Sequence, residues 1–281
     1  MEDFARRKDI PALKKIWAAC FGGEREYADF YYRTRFRPKE TLVWREKGLP
    51  VSMMTLMPLT IAGQTGAYIY AVATLPEYRG RGLVRKLSAF AENVLRQQGR
   101  TFMALVPAEP PLFAFYEKLG YRTSFFLWEK ELSCPEGGRA HTSFARCPFG
   151  KFAKLRAEYL SGFPGGAAHP KGELRYIYKE LCRYNGGVFT FLEDGAEEYA
   201  AFTRTEGGLW LRECSAKDPL PIAEALLFQT GLHKARICCG WEFPGASRIP
   251  YGMGKALLPD GNTGPLEQLF SPPFYMSLML E

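Results

Sequence analysis

The chain has 281 residues, 47% of them hydrophobic, and a formal net charge of +7 from 37 lysines and arginines against 30 aspartates and glutamates. This length and composition predict a globular protein of more than one domain, and no apolar run of about 18 residues is present to predict a membrane span. All of the excess charge lies in residues 1–140, which hold 22 basic and 15 acidic residues, so the sequence favours a local anionic ligand in this half over a nucleic acid that contacts the whole surface.

The first half of the chain reads as two helices, a three-stranded meander, and then helices alternating with strands. Asp9 is predicted to cap a first helix that ends at the glycines at 22 and 23, and a second helix covers residues 24–36. The later elements are strands at 41–47, 51–62 and 67–74, a helix at 83–98, a strand at 101–106, a helix at 110–120 and a strand at 121–132. This pattern predicts an α+β domain.

The same order of elements returns in the second half. Residues 135–145 have the composition of a linker between a domain at 1–134 and another at 146–281. The second half predicts helices at 151–163 and 173–184, strands at 185–195, 197–207 and 208–216, a helix at 218–231, and strands at 234–241, 251–258 and 274–281. The repeated order predicts two copies of one α+β plan, with two unrelated α+β halves as the alternative.

The stretch LPEYRGRGLVRKL, residues 75–87, places glycines and arginines between a strand and a helix. The first amides of a helix lack internal partners and can receive an anion, and glycines at 80 and 82 let a ligand approach the backbone. Charge that pairs with phosphate is supplied by arginines at 79, 81 and 85. The pattern therefore predicts a diphosphate site at the start of this helix.

Other glycine-rich motifs fit this stretch poorly. A P-loop has Lys and then Ser or Thr after its second glycine, where this chain has Leu83 and Val84. A dinucleotide-binding fingerprint has Gly or Ala where this chain has Arg85, and it follows a βαβ pattern, which is absent here. An RNA-binding RGG tract is repetitive and is not followed by an amphipathic helix.

The same residues resemble motif A of the GCN5-related N-acetyltransferase (GNAT) superfamily, Arg/Gln-x-x-Gly-x-Gly/Ala, which lies between the fourth strand and the third helix. Here it reads Arg79-Gly80-Arg81-Gly82-Leu83-Val84, with valine in place of the usual small residue. The segment FYEKLGYR, residues 115–122, resembles the second signature of the family and follows in the right order. The resemblance implies a GNAT-like mixed sheet flanked by helices.

The second half is similar to a degenerate copy of this domain. Where the first half has its glycines and arginines, the second has SAKDPLPIAEALL, residues 215–227. A tandem arrangement of this kind resembles the Eis-like branch of the superfamily, which acetylates primary amines, including those of aminoglycosides. The resemblance thus implies one catalytic domain followed by a second, degenerate GNAT-like domain.

The resemblance also implies where acetyl-CoA binds as co-substrate, between the fourth and fifth strands. Its pantetheine arm is expected to pair with the backbone of Val72, Ala73 and Thr74. Its diphosphate is expected on Arg79 and on the residues that follow it, Gly80, Arg81, Gly82, Leu83, Val84 and Arg85. No metal takes part.

Tyr116 matches the tyrosine that gives a proton to the leaving thiolate in many members of the family. A phenol with an ordinary pKa near 10 suits that role, and a half-buried helix tyrosine without a catalytic part is the alternative. Glu109 stands where many members have asparagine, and it can bind the cofactor, orient the amine, act as base or remain a solvated loop carboxylate. The general base therefore stays open between Glu109, a water relay and the terminal carboxylate of Glu281.

The resulting prediction is an acetyl-CoA-dependent N-acetyltransferase whose acceptor is a primary amine of a small molecule, such as an aminoglycoside or polyamine, or of a peptide. A non-catalytic module that binds CoA or another metabolite is the alternative, and charge alone supports an RNA-acting protein. Seven cysteines without a CxxC pair, and a start that lacks a signal-peptide pattern, predict a reduced cytoplasmic protein without a metal site or membrane partner. The oligomeric state stays open, a homo-oligomer included.

Overall fold

The computed structural model describes residues 1–22, 25–133, 142–183 and 185–280. These residues form a mixed α+β fold, so the predicted fold class is confirmed, and they divide into two compact units. The first unit comprises residues 1–122 and 253–269, and the second comprises residues 123–252 and 270–280.

The helices and strands follow the predicted order closely. The helices are α1 (Ile10–Phe21), α2 (Arg25–Thr34), α3 (Leu83–Gln97), α4 (Pro111–Glu117), α5 (Phe149–Leu160), α6 (Lys171–Arg183) and α7 (Leu220–Thr230). The strands are β1 (Glu2–Phe4), β2 (Thr41–Glu46), β3 (Leu49–Ile61), β4 (Gln64–Thr74), β5 (Phe102–Leu105), β6 (Arg122–Ser133), β7 (Ala145–Arg146), β8 (Gly165–Ala168), β9 (Gly187–Glu193), β10 (Ala196–Thr205), β11 (Gly208–Cys214), β12 (Lys234–Cys239), β13 (Ser247–Leu257), β14 (Thr263–Gly264) and β15 (Phe274–Tyr275). Within the described ranges, no helix has the length and apolar character needed to cross a membrane.

The sheet of the first unit begins as an antiparallel run from β1 to β4 and continues with β5, which is parallel to β4. The end of β13 then pairs antiparallel with β5, with Met253 opposite Leu105. Apolar side chains from β2 to β5 pack with Leu87, Ala91 and Leu95 of α3, which lie four residues apart along one face of that helix. The core of this unit thus holds α3 in place beside the parallel strand pair.

An aromatic cluster joins α1 and α2 to β4 in the first unit. Trp17 of α1 lies with its ring 5.2 Å from that of Tyr31 and 6.0 Å from that of Tyr70. The hydroxyls of Tyr27 and Tyr70 are 2.9 Å apart. Trp17, Tyr31 and Tyr70 are each buried, so these rings serve first as core.

Asp9 precedes α1 at the N-cap position, but its carboxylate does not cap the helix. It accepts hydrogen bonds from the backbone of Arg6 at 2.7 Å and from the Arg45 guanidinium at 2.7 Å. Arg45 is itself buried and also bonds Asp3, so the ion pair draws the Asp9 carboxylate away from the helix amides. The prediction of a capping role for this side chain was wrong because sequence spacing cannot reveal a partner on a distant strand.

The second unit repeats the strand order of the first. An antiparallel run from β7 through β9 and β10 to β11 is followed by β12, parallel to β11, and by β6, antiparallel to β12. In each unit the third strand of the meander carries a register shift, at Thr55 opposite β4 and at Phe202 opposite β11. The predicted repetition of one α+β plan is therefore present in both sheets.

The units differ from the predicted domain boundaries at 134 and 146. β6 lies within the predicted first domain, yet it pairs with β12 of the second unit, and the end of β13 pairs with β5 of the first. Residues 135–141 of the predicted linker lie outside the described residues, and its end, Ala145, begins β7 and pairs with Thr190 of β9. Composition predicts strands, but it does not identify their partners.

The terminal segment, residues 274–280, is buried, but only Phe274 and Tyr275 form a strand, paired with β8. The predicted strand at 274–281 was therefore too long, and Glu281 lies outside the described residues. The segment is held by Glu213, whose carboxylate accepts hydrogen bonds from the hydroxyls of Tyr275 at 3.1 Å and of Ser277. Beyond the short ladder with β8, side-chain hydrogen bonds that involve Glu213 and Arg212 hold this part of the chain.

Glu213 is also half of a buried ion pair, with its carboxylate 2.9 Å from the Arg156 guanidinium. We expect Glu213→Gln to lower the free energy of unfolding by about 3–5 kcal/mol, because the change leaves the Arg156 charge uncompensated in the core. Denaturant unfolding checks this. Glu158→Gln, which removes an exposed partner of Lys154, is the matched control and should change little. Equal midpoints for both variants would contradict the expectation.

Candidate active site

The first unit opens where β4 and β5 diverge. Among the described residues, the two strands are paired at Ala67 opposite Met103 and at Tyr68 opposite Ala104, and β4 then continues to Thr74. A bulge in β4 accompanies this divergence. Thr55 is opposite Tyr70 while Met53 is opposite Ala73, which leaves one extra residue on β4, and Ala71 has φ +51°. The bulge lies just beyond Tyr68, the last residue of β4 that is paired with β5.

The predicted pantetheine-binding residues Val72, Ala73 and Thr74 lie at this diverging end of β4. The Ala73 carbonyl accepts a hydrogen bond from the Ser52 hydroxyl at 2.9 Å. The Thr74 carbonyl accepts from Cys20 Sγ and from Arg79 Nε, each at 3.2 Å. A ligand that pairs with the Thr74 carbonyl must therefore share its lone pairs with these donors or displace them.

The loop after β4 delivers the chain to the start of α3 through two left-handed glycines. Gly80 has φ +74°, and Gly82, the N-cap residue, has φ +69°. A Cβ added at either glycine would meet no heavy atom within 4 Å, so the chain leaves the space beside both positions open. Glycine is favoured here by backbone conformation and by the open approach that it gives to a ligand.

The amides at the start of α3 face this open space without a capping side chain. The first helical hydrogen bond runs from the Lys86 amide to the Gly82 carbonyl at 3.1 Å, and Gly82 offers no side chain as a cap. The amides of residues 82–85 thus precede the helical ladder and carry the positive end of the helix dipole. This arrangement can bind the negative oxygens of a diphosphate.

Basic side chains surround these amides. The Arg81 guanidinium lies 4.9 Å from the centre of the Tyr78 ring and donates to the Glu77 carbonyl at 3.2 Å. Lys86 Nζ lies 4.8 Å from the centre of the Trp44 ring. Arg79, Arg81 and Arg85 are exposed, so their charges can reach a ligand in solvent at low desolvation cost. The valine at 84, which departs from motif A, is half-buried and packs against the core of the unit.

Tyr116 lies on α4 and packs in the core cluster that also contacts Val72 and Val84. Its ring meets that of Tyr121 edge to face, with centres 5.7 Å apart. Burial raises the pKa of the Tyr116 phenol to about 12, so this side chain is a protonated donor at neutral pH. The structure thus brings the predicted acid into one cluster with residues of the β4 end and the α3 start.

Glu109 stands apart from this cluster. It lies exposed in the turn before α4, where its backbone carbonyl accepts a hydrogen bond from the Leu112 amide at 3.0 Å. The terminal carboxylate of Glu281, the other predicted candidate for the base, lies outside the described residues. In the ranges that the structure describes, no group of three or more His, Cys, Asp or Glu side chains is placed to hold a metal.

Sequence reasoning missed several residues that shape the site. Cys20 and Ser52 contact the carbonyls at the end of β4, although neither belongs to a motif. Lys255, from the far end of the chain, is buried next to the turn that follows α4. An apolar strand pattern interrupted by one lysine, YGMGKALL, was the only signal for this last residue.

Diverging parallel strands beside a glycine-rich helix start define the GNAT class of fold. Residues 3–124 match the family model described as "Acetyltransferase (GNAT) domain" and therefore form a domain of that family. The resemblance drawn from the two motifs is confirmed, and the class of enzyme is an N-acetyltransferase. No curated protein matches the chain.

Solved structures with the same fold cover most of the chain. A GCN5-related N-acetyltransferase from Kribbella flavida is similar over 92% of this chain and 71% of its own, with 15% identity and a TM-score of 0.67. Eis1 from Mycobacterium abscessus is similar over 90% of this chain and 73% of its own, with 10% identity and a TM-score of 0.64. A GCN5-related glucosamine N-acetyltransferase region of a fungal multi-domain β-N-acetylglucosaminidase is similar over 90% of this chain and 38% of its own, with 16% identity and a TM-score of 0.58. At these identities the likeness is one of fold.

Proposed function

We propose that this chain is an acetyl-CoA-dependent enzyme that transfers an acetyl group directly from the thioester to a primary amine. The observation that carries the proposal is the set of uncapped amides at residues 82–85, flanked by exposed arginines, next to the diverging end of β4. Acetyl-CoA has a diphosphate that fits these amides and an amide-bearing arm that can pair with a strand end. The residues present therefore fit this co-substrate.

Each step of the proposed reaction is assigned to a part of this chain. The amides at the start of α3 hold the diphosphate, and a backbone N–H of β4 near the bulge stabilises the oxyanion that forms when the amine attacks the thioester carbonyl. The C–S bond breaks as the tetrahedral intermediate collapses, and Tyr116 supplies the proton that converts the thiolate to free CoA. No covalent enzyme intermediate is needed, so no cysteine is assigned to the chemistry.

The attacking amine must lose a proton, and the base remains a choice among three groups. Glu109 is exposed in the turn before α4, a water relay needs no dedicated side chain, and the terminal carboxylate of Glu281 is the third candidate. We expect Glu109→Gln to separate the first from the others. A loss of kcat that is recovered at high pH, where the amine is already neutral, would assign the base to Glu109.

We also propose that the second unit does not bind acetyl-CoA. The loop before α7 lacks the glycines and arginines of the first unit, and Pro219 occupies the N-cap position. Beyond the last β11–β12 pair, the terminal segment contacts both strand ends. Arg212 donates to the Met279 carbonyl, and a Cβ at Gly240 would come within 2.8 Å of the Tyr275 ring. The terminal segment of the second unit thus lies at the ends of β11 and β12, the position that corresponds to the proposed acetyl-CoA site at the ends of β4 and β5.

Thiol release from acetyl-CoA in the presence of amines tests the proposed reaction. The panel contains an aminoglycoside, a polyamine, a lysine peptide and glucosamine, the last because one structural relative is described as a glucosamine N-acetyltransferase region. We expect amine-dependent release with at least one acceptor, with acetylated product identified by mass. Binding of acetyl-CoA without release for the whole panel would instead support a non-catalytic CoA-binding module.

A further inference from the structure

Lys255 on β13 is a buried lysine in the first unit. Its residue is 1% exposed, and it lies opposite Met103 of β5 in the antiparallel pair. A buried ammonium must be compensated by several partners, because removal from water penalises its charge. Burial accordingly lowers the pKa of Lys255, and the Glu92 carboxylate opposes that shift.

The partners of Lys255 come from two helical regions of the candidate site. Its ammonium group donates to the Glu92 carboxylate on α3 and to the Leu119 carbonyl, in the turn after α4, at 2.8 Å. It also lies 4.6 Å from the centre of the Tyr121 ring. One side chain therefore ties the proposed diphosphate-binding helix to the turn that follows the helix of Tyr116.

That turn is wrapped around the backbone of Tyr116. The amides of Leu119 and Tyr121 both donate to the Tyr116 carbonyl, at 2.9 and 3.2 Å. The Tyr121 ring packs edge to face against the Tyr116 ring. Gly120, at φ +87°, lets the turn close, and a Cβ there would lie 3.7 Å from Lys255 Cδ. Lys255 thus bonds the Leu119 carbonyl of the same turn whose Leu119 and Tyr121 amides bond the Tyr116 carbonyl.

We propose that Lys255 is a positioning residue for Tyr116. The inference rests on the proposed function, since it concerns the group assigned as the acid. In this arrangement, Lys255 holds the turn at residues 118–121 against α3, and the turn holds the phenol at the angle from which it reaches the thiolate. The residue enters the unit from the last tenth of the chain, far from either signature.

A double-mutant cycle between Lys255→Met and Tyr116→Phe tests the proposal. We expect Lys255→Met to lower kcat by about 10- to 100-fold, the effect of a small misplacement of a catalytic group, with coenzyme affinity unchanged. In the Tyr116→Phe background the same change should lower kcat little further, because the group that it positions is gone. Equal losses in both backgrounds, or an unchanged kcat in the folded single variant, would overturn the proposal.

Two further variants separate positioning from general stability. Lys118→Met removes an exposed lysine from the same turn and should leave kcat unchanged. Glu92→Gln keeps an acceptor for Lys255 but removes the ion pair, and it should reproduce part of the kcat loss if Lys255→Met does not fold. A kcat loss for Glu92→Gln that is fully additive with Tyr116→Phe would count against the proposal.

A titration without turnover separates this proposal from the proposed function. Tyrosinate absorbance near 295 nm, taken as the difference between a protein and its Tyr116→Phe counterpart, isolates the Tyr116 phenol. We expect an apparent pKa of about 12 in the wild-type chain and a fall toward the ordinary 10 in Lys255→Met, as the phenol gains access to solvent. If the wild-type chain releases no thiol, the acid role of Tyr116 and the proposed function are refuted. If Tyr116 titrates identically in the wild-type chain and in Lys255→Met, only the positioning role of Lys255 is refuted.

Discussion

Gly82→Asp is expected to abolish acetyl-CoA binding while leaving the fold intact. Aspartate tolerates left-handed backbone better than most residues, and an added Cβ at Gly82 meets no heavy atom within 4 Å. The new carboxylate, however, sits beside the amides of residues 82–85, where it competes for them and repels a diphosphate. We expect calorimetry to show binding weaker by at least about 100-fold, close to 2.7 kcal/mol.

Two variants control for this result. Gly82→Asn has nearly the same size and the same tolerance of φ +69° without the charge, and it should lose much less affinity. Gly231→Asp places aspartate at φ +66° after α7, again with no heavy atom near its Cβ, and should not affect binding. The thermal midpoint of Gly82→Asp should no longer rise with acetyl-CoA. Binding by Gly82→Asp within about threefold of wild type would remove the diphosphate site from α3.

Tyr116→Phe is expected to lower kcat by about 10²-fold or more with little change in coenzyme affinity, because it removes a proton donor and keeps the ring. Tyr121→Phe is the matched control. Its hydroxyl contacts Met103 Sδ at 3.9 Å, and its loss should leave kcat close to that of the wild type. Single-turnover measurements keep product release from hiding the effect. Equal kcat for Tyr116→Phe and wild type would leave Tyr116 as a core residue.

The pH dependence of the wild-type chain follows from the burial of the Tyr116 phenol. Burial raises the pKa of Tyr116 to about 12, above its ordinary value of 10.0. At any pH below about 11 the phenol therefore keeps its proton, and kcat should not decrease through loss of this proton. Because the unfolded chain loses the proton first, the stabilisation from the neutral phenol is complete below pH 10 and is lost as pH rises toward 12. A wild-type kcat that declines with an apparent pKa near 9, absent in Tyr116→Phe, would contradict this environment.

The elements of the fold were readable from the sequence because their patterns are local. The apolar face of α3 and the glycines at 80 and 82 predicted a helix and its start, and both lie where they were expected. The short strand β8, rich in glycine and alanine, gave no strand pattern, and β15 proved shorter than its apolar segment. Apolar composition predicts burial well, but a ladder needs a partner with free backbone groups.

Long-range pairings were beyond the sequence. Asp9 was predicted to be a cap because its partner Arg45 lies on β2, far along the chain. No local feature of the sequence marked Lys255 as the ion-pair partner of Glu92. The choice of β13 as the neighbour of β5 likewise depends on the whole chain. The proposed diphosphate site was therefore predicted as a contiguous motif, while Lys255, which we propose positions Tyr116, is brought to the site only by folding.

The interleaving of the two units has a consequence for how this protein is made. The strand that borders β5, and with it Lys255, is synthesised only after the meander and the helices α5, α6 and α7 of the second unit. A nascent chain that stops near residue 134 would present β5 with a bare edge and Tyr121 without its ammonium neighbour. Biogenesis of the first unit must thus wait until the ribosome has passed the end of β13 at Leu257, and a premature stop before β13 would disable the first unit as well as the second.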